Sequence, residues 1–305
     1  MDFSIRKYYS GFKIFRITME NNPSIATLIL SCANRKGLVA KISQFIFQRG
    51  GDIINLDEHV DNEENMFFIR VEWNLKEFTV STDRFEKEFE TLGNEFNAAW
   101  EVKYSYNKPR LAIFVSKYDH CLQEILWRHN NKEIDAEISF IVSNHETLKY
   151  LAERYNIPFH YLPVTKENKT EQERRQLELL RKNNIDTIVL ARYMQVLSPK
   201  FLEQYPNSII NIHHSFLPAF VGADPYKKAY ERGVKLIGAT SHYVTEELDE
   251  GPIIEQDVIR ITHKDSLKDL IRKGRDLERL VLARALDLHI NNRVLRYGKK
   301  TIIFE

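Results

Sequence analysis

Four apolar runs after residue 108 set the strongest limit on the fold of this chain. Their sequences are RLAIFVS, AEISFIVS, DTIVLARY and SIINIHH, and each has the length of a buried strand. Helix-like segments such as HETLKYLAERY and EQERRQLELLRK lie between them. Strands that alternate with helices predict a mostly parallel sheet with both faces covered, in a Rossmann-like α/β domain.

The residues before this alternation follow a different order. A strand-like ATLILSC precedes the helix-like LVAKISQFIFQ, two β-rich runs, the helix-like STDRFEKEFETLGNEF and a final strand-like AWEVKYSY. This βαββαβ order over about 80 residues is typical of a ferredoxin-like domain. We therefore expect an N-terminal extension at 1–21, a small domain at 22–107 and a larger domain at 108–305.

The C-terminal segment combines a helix signal with a hairpin signal. DSLKDLIRKGRDLERLVLARALDLHI carries apolar residues at helical spacing. We expect a long helix that is interrupted at Gly274, because glycine weakens a helix interior. The sequence VLRYGKKTIIF predicts a hairpin that turns at Tyr297-Gly298.

Composition narrows the classes of function and location. Lys and Arg total 44 and Asp and Glu total 43, a balance that argues against nucleic acid as the main partner. No run approaches the ~18 apolar residues of a membrane span, and the N-terminal stretch lacks the apolar core of a secretory signal. The two cysteines, Cys32 and Cys121, form no CxxC motif, and we expect reduced thiols in a cytoplasmic protein.

Polar side chains end the fourth apolar run of the larger domain. Asn211 and His213 are two residues apart, so in a strand they point to the same face. Open parallel sheets bind ligands at the carboxyl ends of their strands. An amide and an imidazole aimed together can hold the oxygen of a polarised carbonyl, and the imidazole can deliver a proton. The alternative is that His213 is a structural histidine bonded to backbone.

A carboxylate follows in the stretch GATSHYVTEELDEGPIIEQ. His242 lies in its strand-like part, and Asp249 lies in a loop that ends with Gly251-Pro252. Close to imidazoles, Asp249 could orient water or act as a base if partial burial raises its pKa. The alternative is a solvated turn residue among Glu246, Glu247 and Glu250.

Two other chemistries fit the pattern less well. A metal site could be imagined around His213, His214, His242 and Asp249, but adjacent histidines leave a strand on opposite faces and HExxH is absent. A nucleophilic Ser215 lacks the GxSxG context. We therefore expect no metal.

The stretches NIHHSFLP and GATSHYVTEELDEGPIIEQ together resemble the formyltetrahydrofolate-dependent formyl-transfer family. The resemblance extends from about residue 108 to the C-terminus. It implies that Asn211, His213 and Asp249 form the catalytic set and that His242 supports the carboxylate from behind. It also implies a folate pocket built from ARYMQVLSP and from the loop before Asp249, with the residues Met194, Val196, Leu197, Glu246 and Glu247.

The small N-terminal domain carries a second resemblance. LSCANRKGLVAKISQFI followed by GGDIINLDEHV resembles an ACT domain, a module that binds amino acids and regulates enzymes. The resemblance implies a possible effector site at Asn34, Gly37, Leu38 and Asn55. ACT domains often pair, so the resemblance also implies a homo-oligomer.

An ACT domain ahead of such a catalytic domain is similar to the formyltetrahydrofolate deformylases. These hydrolases cleave the amide-like C–N bond of 10-formyltetrahydrofolate, release formate for purine biosynthesis and balance one-carbon pools. The resemblance therefore implies a folate substrate and no prosthetic group. One departure is Asp224 in GADPY, where a basic or neutral residue is more usual.

The alternative is formyl transfer to an amine. The transferases of this family hold a phosphorylated amine with a glycine-rich loop after the first strand of the catalytic domain. Here the corresponding stretch, VSKYDHCLQEI, has no glycine and carries Asp119 where an anion would bind. Water needs no such loop, so we expect water to be the acceptor.

Overall fold

The computed structural model describes residues 24–219 and 224–305. The expected N-terminal extension at 1–21 lies outside the described residues. The first half of the chain contains β1 (Ile25–Ala33), α1 (Leu38–Phe47), β2 (Asp52–Asp61), β3 (Met66–Asn74), α2 (Thr82–Phe96) and β4 (Ala99–Tyr104). This is the βαββαβ order that the sequence predicts. The four strands form an antiparallel sheet in the order β2-β3-β1-β4.

The second half builds a larger layered structure from alternating strands and helices. Its elements are β5 (Arg110–Val115), α3 (His120–Asn130), β6 (Glu137–Ser143), α4 (Lys149–Arg154), β7 (Phe159–Tyr161), α5 (Lys169–Lys182), β8 (Thr187–Leu190), α6 (Pro199–Leu202), β9 (Ile209–His213), α7 (Pro225–Arg232), β10 (Leu236–Tyr243), β11 (Ile253–Arg260), α8 (Leu267–Ile290), β12 (Val294–Tyr297) and β13 (Lys300–Ile303). Described helices long and apolar enough to cross a bilayer are absent.

The larger sheet is mixed but mostly parallel. Its strand order is β11-β10-β9-β8-β5-β6-β7, and the five strands from β9 to β7 pair in parallel. Strand β10 runs antiparallel to both β9 and β11. The chain moves outward from β5 to β7 and then returns to β8 on the other side of β5. Crevices for ligands form at such a reversal of strand order, outside the carboxyl ends of the strands.

Alternate residues of β5 show why this sheet is buried on both faces. Leu111, Ile113 and Val115 lie in one hydrophobic core, whereas Ala112 and Phe114 lie in the other. Because side chains of a strand alternate between faces, an unbroken apolar run fills the core on each side of the sheet.

The expected interruption of the C-terminal helix is wrong, because α8 is continuous through Gly274. A capping box at Ser266 and Asp269 starts the helix. A Cβ atom at Gly274 would lie 2.1 Å from the Tyr226 hydroxyl oxygen. The glycine therefore allows α7 to pack closely against α8 and does not end the helix.

The C-terminal hairpin of β12 and β13 lies against the smaller sheet. Phe68 and Ile29 of that sheet share a hydrophobic core with Leu295 and Phe304. The Arg70 guanidinium, from β3, donates hydrogen bonds to the carbonyl groups that follow α8, at 2.8 and 3.0 Å. Side chains from both halves of the chain are therefore buried together.

Candidate active site

Strand β9 presents Asn211 and His213 at its carboxyl end, as the sequence predicts. His213 Nδ1 lies 3.2 Å from Asp249 Oδ2, and the two side chains are only 6 and 8 % exposed. His213 Nε2 is buried and has no hydrogen-bond partner among residues 24–219 and 224–305. One nitrogen of this imidazole is thus held by a carboxylate, and the other is available to a bound molecule.

His242 lies directly opposite Asn211 in the antiparallel pairing of β10 with β9. The Asn211 Nδ2 atom is 3.3 Å from His242 Nε2, and His242 Nδ1 is 2.9 Å from the Tyr243 carbonyl oxygen. Because a carbonyl only accepts, Nδ1 carries the proton and Nε2 accepts from the Asn211 amide. Burial lowers the pKa of His242, which favours this neutral form.

The support that His242 gives is therefore directed at the amide more than at the carboxylate. Its Nε2 atom is 3.8 Å from Asp249 Oδ1, longer than its distance to Asn211. The bond to His242 uses one N–H of the Asn211 amide and fixes the plane of the group. The second N–H of the amide can then donate to a ligand.

The loop that carries Asp249 is pinned to the end of β10. A Cβ atom at Gly251 would lie 1.7 Å from the Tyr243 carbonyl oxygen, so only glycine permits this approach. The Tyr243 N–H donates to the Pro252 carbonyl oxygen at 2.9 Å. Asp249 itself has φ 58°, a left-handed conformation that costs a non-glycine residue about 1 kcal/mol. The surrounding contacts offset this strain and hold the carboxylate beside His213.

The pKa of Asp249 differs from the expectation that burial raises it. Burial does act in that direction, but the hydrogen bond from His213 and the nearby imidazoles lower the pKa by more. The net pKa is below the ordinary value of an aspartate. The carboxylate is therefore ionised at neutral pH and suited to stabilise a positive charge on His213.

The segment after β8 lies next to this site. The Met194 N–H donates to the Ser116 hydroxyl oxygen at 3.0 Å, which joins the segment to the end of β5. Met194 and Val196 are exposed, at 53 and 60 %, whereas Leu197 is buried in the core. Two of the three residues expected for the folate pocket therefore present exposed apolar side chains, and Leu197 lies behind them. Glu246 and Glu247 are exposed in the loop before Asp249.

The residues expected for an effector site lie in the smaller sheet domain. Asn34 and Gly37 lie in the turn between β1 and α1, where Gly37 has φ 89°, and Leu38 is the first residue of α1. Leu38 is buried in the core at 2 % exposure. Asn55 lies on β2, and β3 separates that strand from β1. The four residues therefore do not share one pair of neighbouring strands.

Asp224 occupies a position with a particular backbone requirement. It precedes α7 and has φ 54°, in the left-handed region that aspartate tolerates better than most residues. Residues 220–223, which directly precede Asp224, lie outside the described part of the chain.

The sequence analysis missed a buried polar group beside the site. Glu278, on α8, is 1 % exposed and has His120 Nε2 at 2.8 Å and Arg192 Nε at 3.3 Å. The Tyr226 hydroxyl also donates to this carboxylate. Glu278 lies four residues after Gly274 and four before Leu282, on the buried face of α8. A charged residue on an apolar helix face is the sequence pattern that could have predicted this buried carboxylate.

The same group contains potential metal ligands. Atoms of His120, Cys121 and Glu278 lie within 4.8 Å of one another. However, the Arg192 guanidinium already lies beside the carboxylate, and burial raises the pKa of the Cys121 thiol well above its usual value. A second cation is disfavoured there, and the donor set does not fit a metal ion.

Comparisons with known proteins identify the family of the chain. Residues 109–286 match the Formyl transferase family, which defines the class of the catalytic fold. The chain is 53 % identical to a formyltetrahydrofolate deformylase of Synechocystis sp., over 92 % of this chain and 98 % of the relative. This protein belongs to the formyltetrahydrofolate deformylase family.

Solved structures give the same result. The crystal structure of a formyltetrahydrofolate deformylase from Pseudomonas syringae pv. tomato matches with a TM-score of 0.91 and 42 % identity, covering 93 % of this chain and 95 % of that one. A glycinamide ribonucleotide transformylase from Symbiobacterium toebii matches with a TM-score of 0.61 and 28 % identity, covering 65 % of this chain and 95 % of that one. The likeness to the deformylase spans both halves of the chain, since it covers nearly all of it.

Proposed function

We propose that this protein hydrolyses 10-formyltetrahydrofolate to formate and tetrahydrofolate. The observation that carries the proposal is the His213–Asp249 pair. Nε2 of His213 has no partner among the described residues, and the chain belongs to the deformylase family. The pair supplies an acid and a carboxylate in contact, which is what amide hydrolysis without a covalent intermediate needs.

The formyl oxygen is the group that gains negative charge when water adds to the carbonyl carbon. The free N–H of the Asn211 amide and the N–H of protonated His213 at Nε2 are the donors proposed to hold this oxygen. Donors fixed in advance stabilise the tetrahedral intermediate more than the planar substrate. His242 acts as a positioning residue, because it orients the Asn211 amide.

Asp249 is proposed to orient the attacking water. One carboxylate oxygen, Oδ2, contacts His213, and the other, Oδ1, lies 3.8 Å from His242 Nε2. Its lowered pKa makes Asp249 a weak base for bulk water. Proton transfer therefore accompanies formation of the C–O bond, since the water becomes more acidic as it bonds to carbon.

The remaining steps balance the reaction. Collapse of the tetrahedral intermediate breaks the bond between the formyl carbon and N10. N10 takes a proton from His213, directly or through water, and tetrahydrofolate leaves. The water has then contributed oxygen to formate, and its protons have passed to N10 and to solvent.

The folate would bind beside this set. Met194 and Val196 offer exposed apolar side chains for the pterin, and the backbone of the same segment offers hydrogen-bonding groups. Leu197 would act as a wall behind them. Glu246 and Glu247, in the loop before Asp249, complete the proposed pocket. The folate is proposed to be the substrate, and the proposed reaction uses no prosthetic group.

The domain at 22–107 is proposed to be an ACT-type regulatory domain. Its βαββαβ order and its sheet order support this assignment. The turn at Gly37 leaves open space around the glycine, and a small amino acid could approach the backbone of Asn34 there. Asn55 on β2 is a proposed second contact across a subunit interface, because ACT-type domains pair in homo-oligomers.

The proposed setting is the cytoplasm, with formate feeding purine biosynthesis. Both cysteines, Cys32 and Cys121, are buried and unpaired in the described chain, as expected for a reducing compartment.

The decisive experiment supplies purified protein with 10-formyltetrahydrofolate in buffer that contains no amine. Formate and tetrahydrofolate are measured together, and a one-to-one yield with multiple turnovers is expected. Product formation that requires an added amine would make the protein a transferase and overturn the proposal.

A further inference from the structure

Residues 193–198, called the 193–198 segment below, join the proposed folate pocket to helix α5. The segment follows β8, whose last residue pairs with Asn211. It contains neither helix nor strand. Leu177 and Leu180 of α5 share a hydrophobic core with Tyr193 and Leu197 of the segment. The course of the segment therefore depends on contacts from other elements.

The carboxylate of Glu173, on α5, holds the far end of the segment. One of its oxygens accepts the Ser198 N–H at 3.0 Å, and the other accepts from the Ser198 hydroxyl. Glu173 is only 9 % exposed, and the Lys169 ammonium lies 3.9 Å from its carboxylate. The Ser198 hydroxyl oxygen also accepts the Phe201 N–H as the N-cap of α6. Because one carboxylate accepts from two donors of the same residue, it fixes both the position and the direction of the backbone there.

Two further contacts hold the near end of the segment. The Gln176 side chain of α5 donates to the Tyr193 hydroxyl at 3.1 Å. The Met194 N–H donates to the Ser116 hydroxyl, which in turn donates to Asn144 Oδ1 at 2.7 Å. The side chains of Gln176, Ser116 and Asn144 are all buried. The segment is therefore fixed at both ends by buried polar groups.

The backbone between the two ends makes no such contacts. The N–H and C=O groups of Gln195, Val196 and Leu197 form no hydrogen bond with any residue that the structure describes. Met194 and Val196 expose their side chains in the same stretch. Unpaired backbone groups beside exposed apolar side chains offer a planar, polar-edged ring both hydrogen bonds and an apolar surface.

We infer that Glu173 is a positioning residue for folate binding. By holding Ser198, it keeps the unpaired backbone of residues 195–197 and the side chains of Met194 and Val196 in the arrangement that the pterin requires. Glu173 acts through the segment and not by touching the reacting atoms. The inference rests on the proposed function, since it concerns the same folate pocket.

Loss of the Glu173 contact should weaken binding more than it slows the chemical step. Without this anchor the segment takes up more conformations, so the folate must order it on binding, and that ordering lowers affinity. The proposed catalytic residues, Asn211, His213 and Asp249, lie on β9 and on the loop after β10. They are held by other contacts, so their geometry should persist in the bound state.

The test uses the full-length protein with the Glu173→Ala variant. Formate release is measured over a range of 10-formyltetrahydrofolate concentrations, and calorimetry measures the Kd for tetrahydrofolate kept reduced. We expect KM and Kd each to rise by about tenfold, while kcat changes by less than about threefold. A merely structural role would give a different result, because a smaller folded fraction lowers the apparent kcat and leaves KM and Kd unchanged.

A matched control and a conservative variant accompany this test. Glu178→Ala removes an exposed carboxylate from the same helix, and its KM and Kd should equal those of the unaltered protein. Glu173→Gln keeps the shape and one accepting oxygen, so its KM and Kd should lie between those of Glu173→Ala and the unaltered protein. It also serves if Glu173→Ala does not fold.

Ser198→Ala removes the partner of Glu173 and tests whether the two act together. The double variant of Glu173→Ala and Ser198→Ala should raise Kd by less than the product of the two single factors, because both changes remove the same contact.

Values of KM and Kd that stay at the level of the unaltered protein in both Glu173 variants would overturn the inference and leave hydrolysis standing. Failure of the proposed function gives a different pattern. If the unaltered protein binds tetrahydrofolate but releases no formate, hydrolysis is wrong, and the Kd values still decide the role of Glu173. If it neither binds tetrahydrofolate nor releases formate, both proposals are wrong.

Discussion

Two buried carboxylates at one edge of the larger sheet have contrasting surroundings. Asp249 lies on a loop with φ 58°, and its contacts are two imidazoles. Glu278 lies on the 24-residue helix α8 and contacts a guanidinium, an imidazole and a phenol. An imidazole can exchange a proton near neutral pH, whereas a guanidinium keeps its charge. The same chemical group is therefore suited to proton transfer in one place and to a fixed charge in the other.

Asp249→Asn should give the largest effect on turnover. The amide cannot accept a proton from water, and it cannot stabilise a charged His213. We expect kcat to fall by about 10²–10⁴-fold, while the melting temperature changes little because the loop remains pinned at Gly251. Steady-state formate assays and thermal unfolding of the same preparation measure both. Near-normal turnover would remove Asp249 from the mechanism.

Glu278→Ala should have the opposite effect, with a large loss in the free energy of unfolding. It leaves Arg192 buried without its carboxylate, and breaking such a pair costs roughly 3–5 kcal/mol. Urea unfolding against Asp276→Ala, the exposed control on the same helix, isolates the buried pair. A loss of stability as small as that of the control would show that the two carboxylates differ less than their surroundings indicate.

His213→Ala should lower kcat more than it raises KM. The contact from Nε2 strengthens as negative charge develops on the formyl oxygen, so its loss is felt mainly in the transition state. We expect a fall in kcat of about 10²-fold or more. An effect confined to KM would instead make His213 a residue that binds the ground state.

Gly274→Ala should destabilise the protein less than Glu278→Ala, by disturbing the hydrogen bond to Glu278. The added methyl group meets Tyr226, so the hydroxyl must move away from the carboxylate. Overpacking of this kind costs about 1–3 kcal/mol. The double variant with Tyr226→Phe should be less than additive, because both changes remove the same hydrogen bond. Full additivity, measured by urea unfolding, would show that Gly274 does not act through the hydrogen bond from Tyr226 to Glu278.

Mild acid should have the smallest effect and should act through histidines. Burial is the main cause that lowers the pKa of His289 to about 4 and of His214 to about 3. A histidine with a lowered pKa binds its proton in the unfolded chain first, so stability declines as pH falls below about 6.5. Each should cost roughly 1 kcal/mol between pH 7 and 5.5.

Neither carboxylate titrates in that interval. The pKa of Asp249 lies below its ordinary value, and that of Glu278 is about 2, so the stability each contributes is lost only at lower pH. Asp276→Ala, which removes an exposed carboxylate, is the control for this test. Urea unfolding at both pH values should show the same decline in stability for Asp276→Ala and for the unaltered protein. His289→Gln should reduce the decline, and an unchanged decline would contradict the assignment.

The sequence alone determined much of the fold and the identity of the proposed catalytic set. Alternating apolar and amphipathic runs predicted both halves, because the periodicity of side chains is a local property. The spacing of Asn211 and His213 predicted that they share a face for the same reason. Gly251-Pro252 predicted the end of the loop that carries Asp249, and the family resemblance added Asp249 to the set.

Only the tertiary structure decided how these groups behave. The antiparallel pairing of β10 with β9 puts His242 opposite Asn211, and strand direction is not encoded in a local pattern. The sign of the Asp249 pKa shift depends on imidazoles that come from different strands. Glu278 looked like one more charge on a helix until packing enclosed it with Arg192. Register, burial and charge pairing arise from residues far apart in the chain, so their physical consequences appear only when the chain is folded.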